Sequence, residues 1–424
     1  MHPRERPTSR RQFLIRAGVV VGTLTGADAL LSACGGSAKV AATTTGTGET
    51  GVLMGPGGIP LARRDHPVTL PLYSDNAAID SGLNLEKGPL NLFNWSAYIN
   101  PAVVRKFERE HNVKVSITTF ENEEEAIAKL TGGNAANFDV WWGTVDYISR
   151  AVAGKLIQPL NHSYLPNLRN VWPSLQSPYY DQHSRYTVPY TVYTTGIGWR
   201  TDKLKKAPPD YANPYDIFWD AHPYAGKVAI LDDQREALGM TLLRRHIYDI
   251  NTENPTLINR AEKDLAELTS LVNVKVNVND YTDIPSGATW ISQAWSGDMA
   301  GAWNYLPKGV KPTVLGYWSP AEHAETQNDM MTILRGAKHP VLAHTFLNFM
   351  LDNQNGLENL SWNGYMPPLT ACDPNTVISK GYIPKNLAST VIRESDFKKG
   401  VTIDALTTKG QSLWENAWST FKAG

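Results

Sequence analysis

Apolar residues recur along this chain at two spacings, and the switches between them outline its elements. Leu90-Asn91-Leu92-Phe93-Asn94-Trp95 alternates apolar with polar and predicts a strand. Asn100-Pro101 then opens a helix carrying Val103, Val104 and Phe107, with proline at a position where the missing N–H costs nothing. Val113-Lys114-Val115-Ser116-Ile117 predicts a second strand, 123–130 a helix, Phe138-Asp139-Val140-Trp141-Trp142 a buried strand and 147–156 another helix. The run from Tyr186 to Gly198 is long, β-rich and short of charge, which suits a strand crossing between two domains. The pattern resumes with a strand at Val228-Ala229-Ile230-Leu231, helices over 235–248 and 257–272, a strand at Met299-Ala300-Gly301-Ala302-Trp303 and a helix over 341–351. Strands alternating with helices imply an α/β architecture.

Ahead of this pattern the chain reads as an address. Ser9-Arg10-Arg11-Gln12-Phe13-Leu14, followed by an apolar stretch, resembles a bacterial twin-arginine export signal. Leu31-Ser32-Ala33-Cys34 resembles the lipobox of bacterial lipoproteins. Together they predict a signal over 1–33, export from the cytoplasm to the periplasm or the outer face of the cell membrane, and acyl chains on Cys34 that hold the protein there. Gly18, Gly22, Gly26 and Asp28 make 17–33 a poor transmembrane span. A flexible tether is expected over 34–88, rich in Gly, Thr and Ala up to Pro60; the irregular part from 61, where Pro67, Pro71 and Gly82 break any period, has lying along the folded body as its alternative.

Removal of the signal leaves about 390 of the 424 residues, more than one core usually serves, so two domains are expected. The formal net charge of −1 becomes about −4 once the arginine-rich signal is gone, which argues against nucleic acid as a partner. Only Cys34 and Cys372 occur, and acylation of Cys34 precludes an intramolecular disulfide. Thirteen Trp and eighteen Tyr leave aromatic rings to line a site.

Catalytic and metal signatures such as Gly-x-Ser-x-Gly, His-Glu-x-x-His, a phosphate-cradling glycine loop or paired cysteines are missing, so neither metal nor cofactor is expected. Asp232-Asp233-Gln234-Arg235-Glu236 follows a strand and opens a helix, where free N–H groups favour negative charge. Asp233 with Glu236 also fits a capping box whose only task is to start that helix. Asn94-Trp95-Ser96-Ala97-Tyr98 lies at a strand end, where open α/β sheets usually place ligands. Trp303-Asn304 and Gly364-Tyr365 occupy comparable turns, whereas Glu121 to Glu125 fits a solvated helical face.

In order and spacing these segments, with Phe138-Asp139-Val140, Val188-Pro189-Tyr190, Asp329 and the helix from Ala343 to Leu351, resemble the spermidine and putrescine binders of ABC transporters. The resemblance runs from about Leu90 to Gly424. It implies a periplasmic-binding-protein-like fold of type II, with two α/β domains joined by crossing hinge strands. The domains would comprise 89–194 with 328–373, and 195–327 with 374–424. It further implies a monomer that catalyses nothing, captures a polyamine between its domains and delivers it to an ABC permease. Carried over residue by residue, Trp95, Tyr98, Trp303 and Tyr365 would line the cleft, and Asp233, Glu236 and Asp329 would meet ammonium groups. Ser96 and Thr144 match polar positions of that site. Two positions depart from the family: Gln327 stands where a Trp is usual, and Asp146 where an aromatic is frequent, giving either a fourth carboxylate for the ligand or a helix cap. Two other readings remain open, the same fold taking another organic cation or a neutral solute, and a secreted hydrolase using Asp233 and Asp329 as acid and base.

Overall fold

The computed structural model describes residues 52–424. The signal, Cys34 and the first part of the expected tether lie outside the described residues. Among those described, no helix is long and apolar enough to cross a membrane.

The first half winds as expected. Strand β1 (Leu90–Trp95) leads to helix α1 (Pro101–His111), strand β2 (Val115–Phe120), helix α2 (Glu123–Lys129), strand β3 (Val140–Thr144) and helix α3 (Val145–Ala153). Asn100 caps α1 by accepting from the Ala102 N–H, and Val103, Val104 and Phe107 form its buried stripe. A short β4 (Ile157–Gln158) and the long β5 (Val188–Arg200) follow. The second half contributes β6 (Val228–Ile230), α4 (Gln234–Arg244), α5 (Pro255–Val272), β7 (Lys275–Val276), α6 (Asp280–Ser286), β8 (Ile291–Trp295), α7 (Ser296–Gly301) and β9 (Leu315–Trp318). The chain then returns through β10 (Glu325–Leu334) to α8 (Pro340–Met350), α9 (Asn353–Asn363), α10 (Pro374–Ser379), α11 (Glu394–Lys399) and α12 (Thr408–Ala423).

One 10-stranded sheet runs through the whole, in the order β2-β1-β3-β10-β5-β8-β6-β7, with β4 on β10 and β9 on β5. Parallel triplets at its two ends flank the antiparallel pair β10 and β5, whose residues are buried along their full length. Register shows how this central pair serves both halves. Thr144, the last residue of β3, pairs with Asp329, which pairs in turn with Thr191 of β5. Trp295, the last residue of β8, pairs with Thr195 of β5. The carboxyl ends of strands from both halves therefore converge on the middle of the crossing strands, which is where ligands collect in open α/β sheets. A register shift between Asp329 and Met330 marks a bulge there, a device that re-aims side chains.

Two expectations are corrected. The apolar run 299–303 is no strand: α7 and a turn occupy it, and the strand is the preceding Ile291–Trp295. A short apolar run has no period to separate strand from helix, and Ser296-Gly297-Asp298 supplies a helix start with an acid in its first turn. Residues 52–88 are also no loose tether. Ile59, Val68 and Leu70 are buried in a cluster with Ile148, Val152 and Tyr186 of the first half, and Leu61 is buried as well. The Val68 N–H donates to the Tyr179 carbonyl (2.7 Å), and the Val68 carbonyl accepts from Gln182 (2.9 Å). A few well-spaced apolar side chains suffice to lay an irregular strap along a folded surface.

Candidate functional site

Carboxylates crowd the point where the strand ends converge. Asp329 on β10 is buried and accepts hydrogen bonds from the Tyr98 hydroxyl (2.6 Å) and the Tyr193 hydroxyl (3.2 Å). Burial pushes its carboxyl up to about 7, the two phenols pull it back, and the charges of Asp146 and Glu236 push it further. Burial first, and the charge of Asp329 as well, hold Tyr98 and Tyr193 well above the usual phenol range, so both stay neutral donors. Tyr365 packs edge-on against Tyr98 (4.8 Å between centroids) and Tyr193 (5.5 Å), and its hydroxyl donates to Asp298 (3.0 Å). These rings form an aromatic wall around one carboxylate.

On the second-half wall, Asp233 caps α4 by accepting from the backbone N–H groups of Arg235 (2.8 Å) and Glu236 (3.1 Å). The N-cap half of the expected capping box is thus present, while the Glu236 side chain turns to Trp295 rather than back to the Asp233 N–H. Water still reaches Asp233, which is half-buried, but the atoms around it strip much of its hydration. That burial, then Glu124 and Glu236, push its carboxyl up to about 8. Glu236 is buried, with Oε1 accepting from the Trp295 indole N–H (2.8 Å) and Oε2 left without a hydrogen-bond partner. Glu325 is buried too, and burial together with Glu236 holds its carboxyl well above the ordinary range. Gln327, between Glu325 and Asp329 on β10, donates to Glu325 Oε1 (3.4 Å).

The first-half wall comes from the ends of β1 and β3 and the start of α2. Trp95 ends β1 with its ring tilted against Phe120 (4.6 Å), and the Ser96 hydroxyl donates to Glu121 (2.8 Å). The Thr144 hydroxyl donates to Asp146 Oδ1 (2.6 Å) at the start of α3. The charge of Asp146 raises the carboxyls of Glu123, Asp329 and Asp233. Glu124 joins the two halves, accepting from the Tyr147 hydroxyl (3.0 Å) and from Gln234 Nε2 (3.1 Å).

Of the residues expected from the sequence, Tyr98, Tyr365 and Asp329 form one group and Asp233 with Glu236 another, while Thr144 and Asp146 stand at the end of β3. Trp95 and Ser96 end β1, and Ser96 turns to Glu121. Trp303 lies in the turn after α7, half-buried against the larger core cluster, and the Trp295 indole donates to Glu236. Trp295-Ser296 repeats the strand-end grammar of Trp95-Ser96, a signal the sequence offered. Glu325 and Tyr193 were also legible by the period of two, on one face of their strands with Asp329 and Thr191. Glu123, expected on a solvated face, is 5% exposed and faces the carboxylates.

No basic side chain among the described residues pairs with Glu123, Asp146, Asp233, Glu236, Glu325 or Asp329. Arg235, next to Asp233 in the chain, turns away to Asn251 Oδ1 (2.6 Å) and lies over the Trp414 ring. The arrangement suits a cation with several charges and apolar spacers between them: carboxylates offset the desolvation of ammonium groups, and ring faces attract them.

Comparison with known proteins matches residues 102–383 to the family described as bacterial extracellular solute-binding protein. The spermidine/putrescine-binding periplasmic protein 1 of Haemophilus influenzae is 28% identical over 261 residues, 61% of this chain and 69% of that protein. The putrescine-binding periplasmic protein SpuD of Pseudomonas aeruginosa is 26% identical over 346 residues, 79% of this chain and 92% of that one. Among solved structures, the spermidine/putrescine ABC transporter substrate-binding protein PotD of Streptococcus pneumoniae superposes with a TM-score of 0.64 at 22% identity, covering 79% of this chain and 98% of that one. The TpPotD lipoprotein of Treponema pallidum gives 0.66 at 22%, covering 78% and 98%. The fold is accordingly the type II periplasmic-binding-protein fold, two α/β domains joined by crossing strands, and the curated relatives are binding proteins of transport systems, not enzymes.

Proposed function

The chain belongs to the bacterial extracellular solute-binding proteins, and from that premise we propose that it captures a polyamine of the putrescine/spermidine class and delivers it to an ABC permease. The observation that carries the reading is the set of six carboxylates gathered at the crossing strands without a basic partner among the described residues. Burial and nearby like charges raise the carboxyls of Asp329 and Asp233 to about 7 and about 8, so a cation entering there displaces protons. A linear polyamine supplies ammonium groups to the carboxylates and methylene spacers to the rings of Tyr98, Tyr365 and Trp295. The printed names of the relatives support the same ligand class.

In this reading 89–194 with 328–373 and 195–327 with 374–424 are the two lobes, and the Glu124–Gln234 contact (3.1 Å) is one clasp across the cleft between them. Ligand contacts with both walls favour the closed arrangement, which the permease recognises. Ser96, Thr144 and Trp95 border the site from the first lobe. Upstream, the twin-arginine signal exports the chain and Cys34 carries the lipid, so a monomer works at the membrane face.

Isothermal titration of the mature chain with putrescine, spermidine and spermine tests the ligand class. Saturable binding of at least one amine is expected. Heat with none of the three, and binding of a neutral solute instead, would transfer the same fold to another ligand class.

A further inference from the structure

The strap ahead of β1 is fastened to the first half on both sides of a turn that reaches the second half. Ile59 is buried in one cluster with Ile148 and Val152. From Val68 onward the strap is bonded to first-half groups: the Tyr186 hydroxyl donates to the Pro71 carbonyl (2.6 Å), Asn76 Nδ2 donates to the Ile157 carbonyl (2.8 Å), and Glu86 accepts from the Val341 and Leu342 N–H groups at the start of α8 (3.1 and 2.7 Å). Between these fastenings the strap folds back on itself. Arg63 and His66 exchange backbone hydrogen bonds (3.2 and 3.0 Å), which closes a tight turn with Arg64 and Asp65 at its tip.

The arginines of that turn grip the second half. Arg63 Nη2 donates to the Ala405 carbonyl (3.0 Å), and its Nε lies 3.9 Å from Asp404 Oδ2. Arg64 Nη2 donates to the Thr402 hydroxyl (2.9 Å) and Nη1 to the Lys398 carbonyl (3.3 Å), with the guanidinium over the Phe397 ring of α11 (4.9 Å). The gripped segment belongs to the core of the second half, where Ile403 and Leu406 are buried with Leu238 of α4 and Trp414 of α12. It is also bonded to the helix that carries the cleft acids: the Asp404 carbonyl accepts from Arg235 Nη1 (3.2 Å) near the start of α4. The first half adds a crossing of its own, since the Tyr179 hydroxyl donates to Asp404 Oδ1 (2.5 Å). Burial raises the Asp404 carboxyl to about 6, against the pull of Arg63, Tyr179, Arg235 and Arg64. Charge-assisted bonds among half-buried and buried groups keep more of their strength than ion pairs on open surface.

We propose that the turn Arg63–His66 ties the two lobes together, so that the strap biases the ligand-free protein toward the closed arrangement and raises its affinity for the ligand. The inference rests on the two-lobe reading given above. Glu124 and Gln234 meet across the cleft (3.1 Å), and the Arg63 and Arg64 contacts are made in that same closed arrangement. Contacts that span both lobes favour it over any arrangement in which the lobes part, with or without ligand. A larger closed fraction before binding leaves less affinity lost to the conformational change. Arg63 and Arg64 are positioning residues, acting through Thr402 to Ala405 rather than on the ligand.

The test is X-ray solution scattering of the ligand-free mature chain and of its Arg64→Gln and Arg63→Gln/Arg64→Gln variants, with circular dichroism confirming their fold and isothermal titration of spermidine alongside. The double variant is expected to have a larger ligand-free radius of gyration than the native chain, and Arg64→Gln a smaller shift in the same direction. Saturating spermidine should return both to the native liganded profile. Spermidine affinity is expected to fall by about three- to tenfold in the double variant, as the closed fraction falls. A strap that only covers the surface would cost stability without changing these dimensions, so ligand-free profiles identical to the native one in both variants overturn the tie, whatever the amine affinity. Failure of the native chain to bind any amine, with the ligand-free profiles still different, removes the polyamine reading and leaves the tie standing.

Discussion

The two walls of the cleft carry the same chemistry on different foundations. On the second-half wall, Asp233 is part of the fold before any ligand arrives, because its oxygen satisfies two N–H groups at the start of α4. Glu236 is likewise steadied by the Trp295 indole. On the first-half wall, Glu123 bonds to nothing, and only Asp146 is tied down, by Thr144. The difference separates two settings of an acid in this cluster: one caps a helix of the scaffold, whereas the other has no hydrogen-bond partner for either oxygen. Substitutions should therefore cost stability on one wall and not on the other.

The largest effect is expected between the walls, at Asp329. Asp329→Asn keeps the shape but removes the charge inside the tyrosine ring, and it should cost about 2–5 kcal/mol of amine binding, the usual loss when one partner of a buried charged pair is removed. Calorimetric titration measures it, and an affinity within twofold of the native chain would deny Asp329 its role. Next in size is Trp295→Phe, which keeps a ring but deletes the donor to Glu236. A loss of about 1.5–3 kcal/mol in amine affinity is expected, as for a hydrogen bond to a charged group. The smallest effect separates the walls most sharply. Asp233→Ala should destabilise the ligand-free chain by about 1 kcal/mol through the lost helix cap, whereas Glu123→Gln should leave it unchanged or steadier at pH 8. Denaturant unfolding without ligand compares the two, and equal losses would erase the distinction between the walls.

Much of this was legible in the sequence. The alternation of Leu90–Trp95, the Asn100-Pro101 helix start and the strand-to-helix junction at Asp233 all carry local signals that tertiary packing respects. Tyr98, Asp233, Glu236, Asp329 and Tyr365 were singled out through the family pattern, and in the structure Tyr98, Asp329 and Tyr365 contact one another, as do Asp233 and Glu236. Local pattern failed where long-range packing decides. A run of glutamates reads as solvated until β3 and β10 bring Asp146 and Asp329 up to Glu123. The strap over 52–88 has no period, and its burial depends on the surface it meets. The apolar run 299–303 imitates a strand, although the true strand end lies just before it, at Trp295.

The central claim is that the cleft holds protons which a polycation displaces. With Asp329 pushed up to about 7 and Asp233 to about 8, the native ligand-free chain binds more protons than the unfolded one between about pH 4 and 8. Its stability from these groups is therefore full at acid pH and lost as pH rises through that range, while affinity for an already protonated amine rises over the same interval. The most direct measurement is spermidine titration at pH 7 in two buffers of different ionisation enthalpy, which counts the protons exchanged on binding. The account predicts saturable binding with net proton release. Binding without release, or with uptake, would contradict it.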